Sequence, residues 1–223
     1  MTAMILATVA IVLSGFCHIL FDYRHQSGQQ RSDLRATWLF KPLTMAVMVI
    51  YLLWAGDLSS TPHQLLLAAL LFSMVGDAFL MVPPYPVAPA LGAFLVAHIL
   101  YVVLFLDLQP FVMTGLWQAV LGLVLVWNTV VAWRLIPKMG ALLIPGLIYF
   151  TAISLMVLTS ANIMAQGLPG GAILFAGAMA FYLSDTALAF DRFGEPYPAA
   201  QGLVLSTYYL GQWLIVLGVL ALV

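Results

Sequence analysis

The chain has 223 residues, 64% of them hydrophobic and only 7% charged. Soluble domains carry about 25% charged residues, so this set cannot cover a water-facing surface, and the mean hydropathy of +1.09 agrees. Seven basic and eight acidic residues give a formal net charge of −1, which leaves no basic field to hold nucleic acid. A bilayer span takes roughly 20 apolar residues, and with short connections the length accommodates about eight. The composition dictates an all-α, multi-pass integral membrane protein: transmembrane helices in one bundle, a single domain over residues 1–223.

In chain order, apolar runs broken by Pro, Gly or charge predict helices over about residues 2–20, 38–55, 64–82, 89–108, 112–134, 140–165, 170–190 and 200–222. The first run has no charged leader and no small-residue cleavage site, and a bulky Phe16 precedes Cys17, so it reads as a retained helix. Cys17 is the one cysteine, which excludes an intramolecular disulfide. Pro62, Pro110 and Pro169 fall at predicted helix ends, and Pro83-Pro84-Tyr85-Pro86 requires a turn. Residues 22–37 are the one long connection.

The basic residues set an orientation. Arg24, Arg31, Arg35 and Lys41 belong to the first connection, Arg134 and Lys138 to the fifth, Arg192 to the seventh; the even connections carry none. Lys and Arg stay cytoplasmic, so both termini should face outward, across the inner membrane if the source is bacterial. The third and seventh helices share a short pattern. Gly76-Asp77 and Ser184-Asp185 each precede a Leu three residues on, then a turn ending Pro-Tyr-Pro (Pro84 to Pro86, Pro196 to Pro198). Four helices per half would make the halves parallel repeats.

Most acids have water within reach: Asp57 and Asp107 at outer helix ends, Asp22, Asp33, Asp191 and Glu195 at inner ends or in connections. Asp77 and Asp185 do not. Each lies inside an apolar run, about five residues from the predicted inner end, where an Asp costs up to about 2.5–3.5 kcal/mol to insert. An interhelical hydrogen bond from a carboxyl is the structural reason to keep one; a catalytic or transport role is the functional reason. Ala69, Ser73 and Asp77 form an i, i+4, i+8 stripe, and the seventh helix is rich in Gly and Ala, so both helices should pack centrally. Further polar groups fall at similar depth: His98 with Tyr101 three residues on, Thr207, Tyr208, Tyr209 and Gln212 in the eighth helix, His18 in the first, and Lys41-Pro42 opening the second. Lys41 is suited to headgroup contact, to a lipid phosphate, or to an Asp. No P-loop, dinucleotide fingerprint or HExxH occurs. With His25 and His63 in connections on opposite sides, a three-histidine zinc site is disfavoured and no metal ligand set is expected.

Lys41-Pro42, the run from Phe72 to Asp77, Ala97-His98 through Tyr101, Phe181-Tyr182-Leu183-Ser184-Asp185 through Phe193, and Thr207-Tyr208-Tyr209, in this order, resemble the YhhN family. The resemblance implies eight helices and lysoplasmalogenase activity: hydrolysis of a lysoplasmalogen's vinyl ether to a fatty aldehyde and glycerophosphoethanolamine or glycerophosphocholine. It also implies that the two intramembrane aspartates, Asp77 and Asp185, are catalytic. Lys41, His98, Tyr101 and Tyr208 are expected to orient a lysophospholipid substrate in a cavity shared by both carboxyls and open to the cytoplasmic headgroups, where Lys41 or the first-connection arginines meet phosphate. Vinyl ether cleavage needs a proton donor, a base for water, and negative charge beside an oxocarbenium ion, roles that two carboxyl groups supply without metal or organic cofactor. Paired intramembrane acids equally suit a proton-coupled transporter, and a lipid-binding membrane protein is the third reading.

Overall fold

In the computed structural model the backbone is described for residues 1–26, 31–81, 86–197 and 200–223, and the side chains for the same residues except 22–37. These contain α1 (Thr2–Gln26), α2 (Arg31–Ala55), α3 (Thr61–Met81), α4 (Val87–Leu108), α5 (Gly115–Leu135), α6 (Leu143–Ala165), α7 (Gly171–Phe193) and α8 (Ala200–Leu222), with no strand among them. All eight include a stretch long and apolar enough to cross a membrane. Large apolar side chains such as Leu123, Val126, Trp133 and Ile144 point outward, as a lipid-facing surface requires.

Three expectations are corrected. The long connection over residues 22–37 is mostly helix, because neither 21–26 nor 31–40 contains Gly or Pro and the helices continue past their apolar spans. Lys41-Pro42 therefore lies inside α2 rather than opening it. His63 belongs to the first turn of α3, buried, with Nδ1 3.0 Å from the Asp57 carbonyl oxygen. Asp57 itself stays in the connection, where the backbone N–H and hydroxyl of Ser59 hold its carboxyl below the ordinary carboxylate range.

Contacts run α1–α2–α3–α4–α6–α7–α8 and back to α1, so seven helices close a ring, with α8 also touching α2 and α3. α5 packs outside this ring, on α6 and α7. The sequence repeat would make α1 and α5 equivalent, yet α1 is part of the ring and α5 is not. α7 and α8 are the most enclosed helices, while α3 turns Leu71, Phe72 and Val75 outward. The α7–α8 pair depends on glycine. A Cβ on Gly177 would sit 2.7 Å from the Ile215 amide nitrogen, and one on Gly211 2.8 Å from that of Phe181, so only bare backbone permits this approach. Without a hydrophobic drive between helices in lipid, such contacts and interhelical hydrogen bonds carry the association.

Candidate active site

Asp77 is buried four residues before the end of α3. Its Oδ1 lies 3.0 Å from Nζ of Lys41 on α2, and its Oδ2 accepts a hydrogen bond from the Tyr208 hydroxyl of α8 at 2.9 Å. Lys41 is itself buried, so of the three roles open to it the ion pair is the one observed. One turn further along, Gln212 donates to Ser73 Oγ at 3.0 Å and accepts from the Tyr101 hydroxyl at 2.5 Å. The pairs Asp77–Tyr208 and Ser73–Gln212 are rungs between i, i+4 positions of two antiparallel helices, which is why the small-residue stripe of α3 faces inward. Tyr101 thus ends on Gln212, away from either carboxyl group.

Asp185 sits eight residues before the end of α7, because that helix runs past its predicted stop to Phe193. Its Oδ2 accepts from the Tyr149 hydroxyl of α6 at 2.5 Å, and Nε2 of His98 on α4 is 3.5 Å from the same oxygen. His98 is wholly buried, and neither ring nitrogen has a hydrogen-bond partner among the described residues. Aromatic rings hold it in place: Tyr149 edge-on at 5.0 Å and Phe181 at 4.8 Å.

Aromatic side chains join the surroundings of the two carboxyl groups. Phe181 packs on both His98 and Tyr208. Phe94 meets Tyr208 edge-on and lies against Gly76, where a Cβ would come within 2.6 Å of the ring. Phe94 also lines a pocket at the end of the bundle that carries Arg192. Leu80, Leu91, Phe150 and Leu188 add to its apolar wall, and Tyr149, Asp185 and Arg192 are its polar lining. Asp185 and Arg192 are seven residues apart on one face of α7, about 10 Å along the axis.

Of the predicted site residues, Asp77, Lys41 and Tyr208 form one cluster and Asp185 with His98 another. Asp185 lines this pocket and Asp77 does not. His18 bonds the Tyr209 hydroxyl at 2.7 Å rather than a carboxyl group. The side chains of Arg24, Arg31 and Arg35 lie outside the described residues. Tyr149, Phe94 and Arg192 as a pocket residue went unnoticed in the sequence; a lone Tyr a turn after Gly146 is the faint signal for the first. Among the described residues, no three His, Cys, Asp or Glu side chains group as a metal site needs.

Comparison with known proteins matches most of the chain. The model of the YhhN family matches residues 36–219. A pig protein named lysoplasmalogenase TMEM86B is 36% identical over 192 residues, 84% of this chain and 78% of its own. Its human counterpart is 36% identical over 170 residues, covering 75% and 69%. The Escherichia coli membrane protein YhhN, which carries no assigned function, is 25% identical over 221 residues, 96% of this chain and 98% of its own. No solved structure matches.

The Lys41–Asp77 pair predicts a double-mutant cycle. Lys41→Met leaves a buried carboxylate without its cation and should destabilise the protein by about 3–5 kcal/mol. Adding Asp77→Asn to it should recover most of that loss in thermal unfolding in detergent. A double variant no more stable than Lys41→Met would show that the pair does not form.

Proposed function

The chain belongs to the YhhN family, and from that premise we propose that it is a lysoplasmalogenase-like membrane hydrolase. It cleaves the vinyl ether bond of a lysoplasmalogen, releasing a fatty aldehyde and glycerophosphoethanolamine or glycerophosphocholine. The supporting observation is the Asp185 pocket. A carboxyl group lies in an apolar pocket with an arginine about 10 Å away on the same helix face, a spacing suited to a glycerophosphate between a vinyl ether and a cation.

In this reading Asp185, oriented by Tyr149, donates a proton to the β-carbon of the vinyl ether. The double-bond electrons form the new C–H bond, and the positive charge settles on the carbon bound to the ether oxygen. Asp77, fixed by Lys41 and Tyr208, contributes its negative charge to the cation's surroundings. Water adds to that carbon, its proton returns to the carboxyl pair, and the hemiacetal collapses to aldehyde and glycerol hydroxyl. Arg192 receives the phosphate, a role the sequence left open to Lys41 or the first-connection arginines. His98 packs Tyr149 into position, while Tyr101 acts through Gln212 as a packing residue. A transporter would need a polar path onward from the pocket, whereas Asp185 is backed by the buried His98 and Phe181.

Two measurements test this. Purified protein should release aldehyde from lysoplasmalogen and no fatty acid from an ester-linked lysophospholipid. Asp185→Asn, which keeps an acceptor for Tyr149, should unfold at a near-native temperature yet lose at least about 10²-fold in rate. Near-full turnover by that variant would remove Asp185 from the chemistry. By the positive-inside rule the Arg192 end faces the cytoplasm and both termini face outward. A reporter fused after Val223 should then register outside; a cytoplasmic signal would invert the assignment.

A further inference from the structure

The Asp185 pocket has a neighbour on the lipid side. Between α5 and α6 lies a cleft lined by Asn128, Val131, Ile136, Leu147 and Thr151, and three of its residues, Met139, Gly146 and Phe150, line the Asp185 pocket as well. Cleft and pocket are two sides of one partition. Ile136 and Leu147 on the cleft side are exposed at 40% and 41%, while Met139 is buried.

Met139 is the part of that partition contributed by the α5–α6 connection. It sits between two single 3-10 turns, Ile136–Lys138 and Gly140–Leu142, that join α5 to α6. Its methyl group occupies the space that a side chain on Gly146 would fill. Around it are Val131, Leu135, Ala189 and Phe150, apolar side chains that offer the thioether only van der Waals contact. An unbranched methionine on a short 3-10 connection is a plug that rotates aside without breaking a hydrogen bond.

A long-chain substrate needs such an exit. With its phosphate at Arg192 and its ether at Asp185, the hydrocarbon meets the buried His98 and Phe181 if it continues along the bundle axis. We propose that the substrate's hydrocarbon chain enters from the bilayer through the α5–α6 cleft and lies there during the reaction, with Met139 over Gly146 as the plug it displaces. This rests on the lysoplasmalogenase-like reading and adds the route and the chain-length determinant. The occupant is the chain of the lipid itself: the cleft is mostly apolar, carries exposed Ile136 and Leu147, and shares Met139, Gly146 and Phe150 with the pocket that holds the carboxyl group.

The test compares kcat/KM for a long-chain lysoplasmalogen with that for a four-carbon alkenyl analogue. Met139→Trp thickens the plug, and Leu147→Trp fills the cleft from the lipid side, at an exposed position that tolerates bulk. Each should lower the long-to-short ratio at least about tenfold, the scale on which an apolar pocket discriminates, chiefly through KM for the long substrate. Met139→Ala should not lower it. An unchanged ratio in either folded tryptophan variant, whether both substrates slow together or neither does, overturns the route. Absence of aldehyde from both substrates with the unmodified protein would instead overturn the underlying reading, so the two failures are distinct.

Discussion

A carboxyl group inside a bilayer has no water to solvate it and must find a cation or hydrogen-bond donors within the protein. This chain meets that requirement twice, with different chemistry. Asp77 takes a lysine from α2 and a tyrosine from α8. Asp185 takes a tyrosine from α6 and has an imidazole from α4 nearby. Six of the eight helices are thereby committed to placing two side chains, and the ring of helices is the framework that brings them into reach. The asymmetry matters for chemistry: an ion-paired carboxylate offers standing charge, whereas a carboxyl group in an apolar pocket is free to exchange a proton with what enters it.

Close packing makes the arrangement hold its shape. Bare backbone at Gly177 and Gly211 lets α7 and α8 touch, which sets the position of Phe181. Phe181 then packs on His98 on one side and Tyr208 on the other. Gly76 gives Phe94 the room to reach Tyr208 beside Asp77 while lining the Asp185 pocket. The surroundings of the two carboxyl groups thus share Phe94 and Phe181.

Much of this was legible in the sequence, for identifiable reasons. Spans announce themselves because charge is scarce, and Asp77 and Asp185 because each interrupts an apolar run. Family membership followed from ordered short motifs rather than from any single one. Partner choice was not legible. Lys41 had three plausible fates, and only the distance to Asp77 selects one. Tyr149 is one of 9 tyrosines, with nothing local to mark it as the donor to Asp185. Tyr101 shares a face with His98 but points its hydroxyl at Gln212, since a helix face is wide enough to serve two neighbours. The pocket was invisible because its wall consists of the same Leu, Ala and Phe that face lipid elsewhere, drawn from four helices and one connection.

The central claim is that the ether bond is held against Asp185. A structure of the protein with a saturated 1-O-alkyl lysophospholipid, which has the substrate's shape but no vinyl group to protonate, tests it directly. The expected complex has the ether oxygen and the first chain carbons beside the Asp185 carboxyl group, the phosphate at Arg192, and the chain in the α5–α6 cleft. A ligand whose ether lies outside this pocket, with Asp185 still facing only Tyr149 and His98, would contradict it.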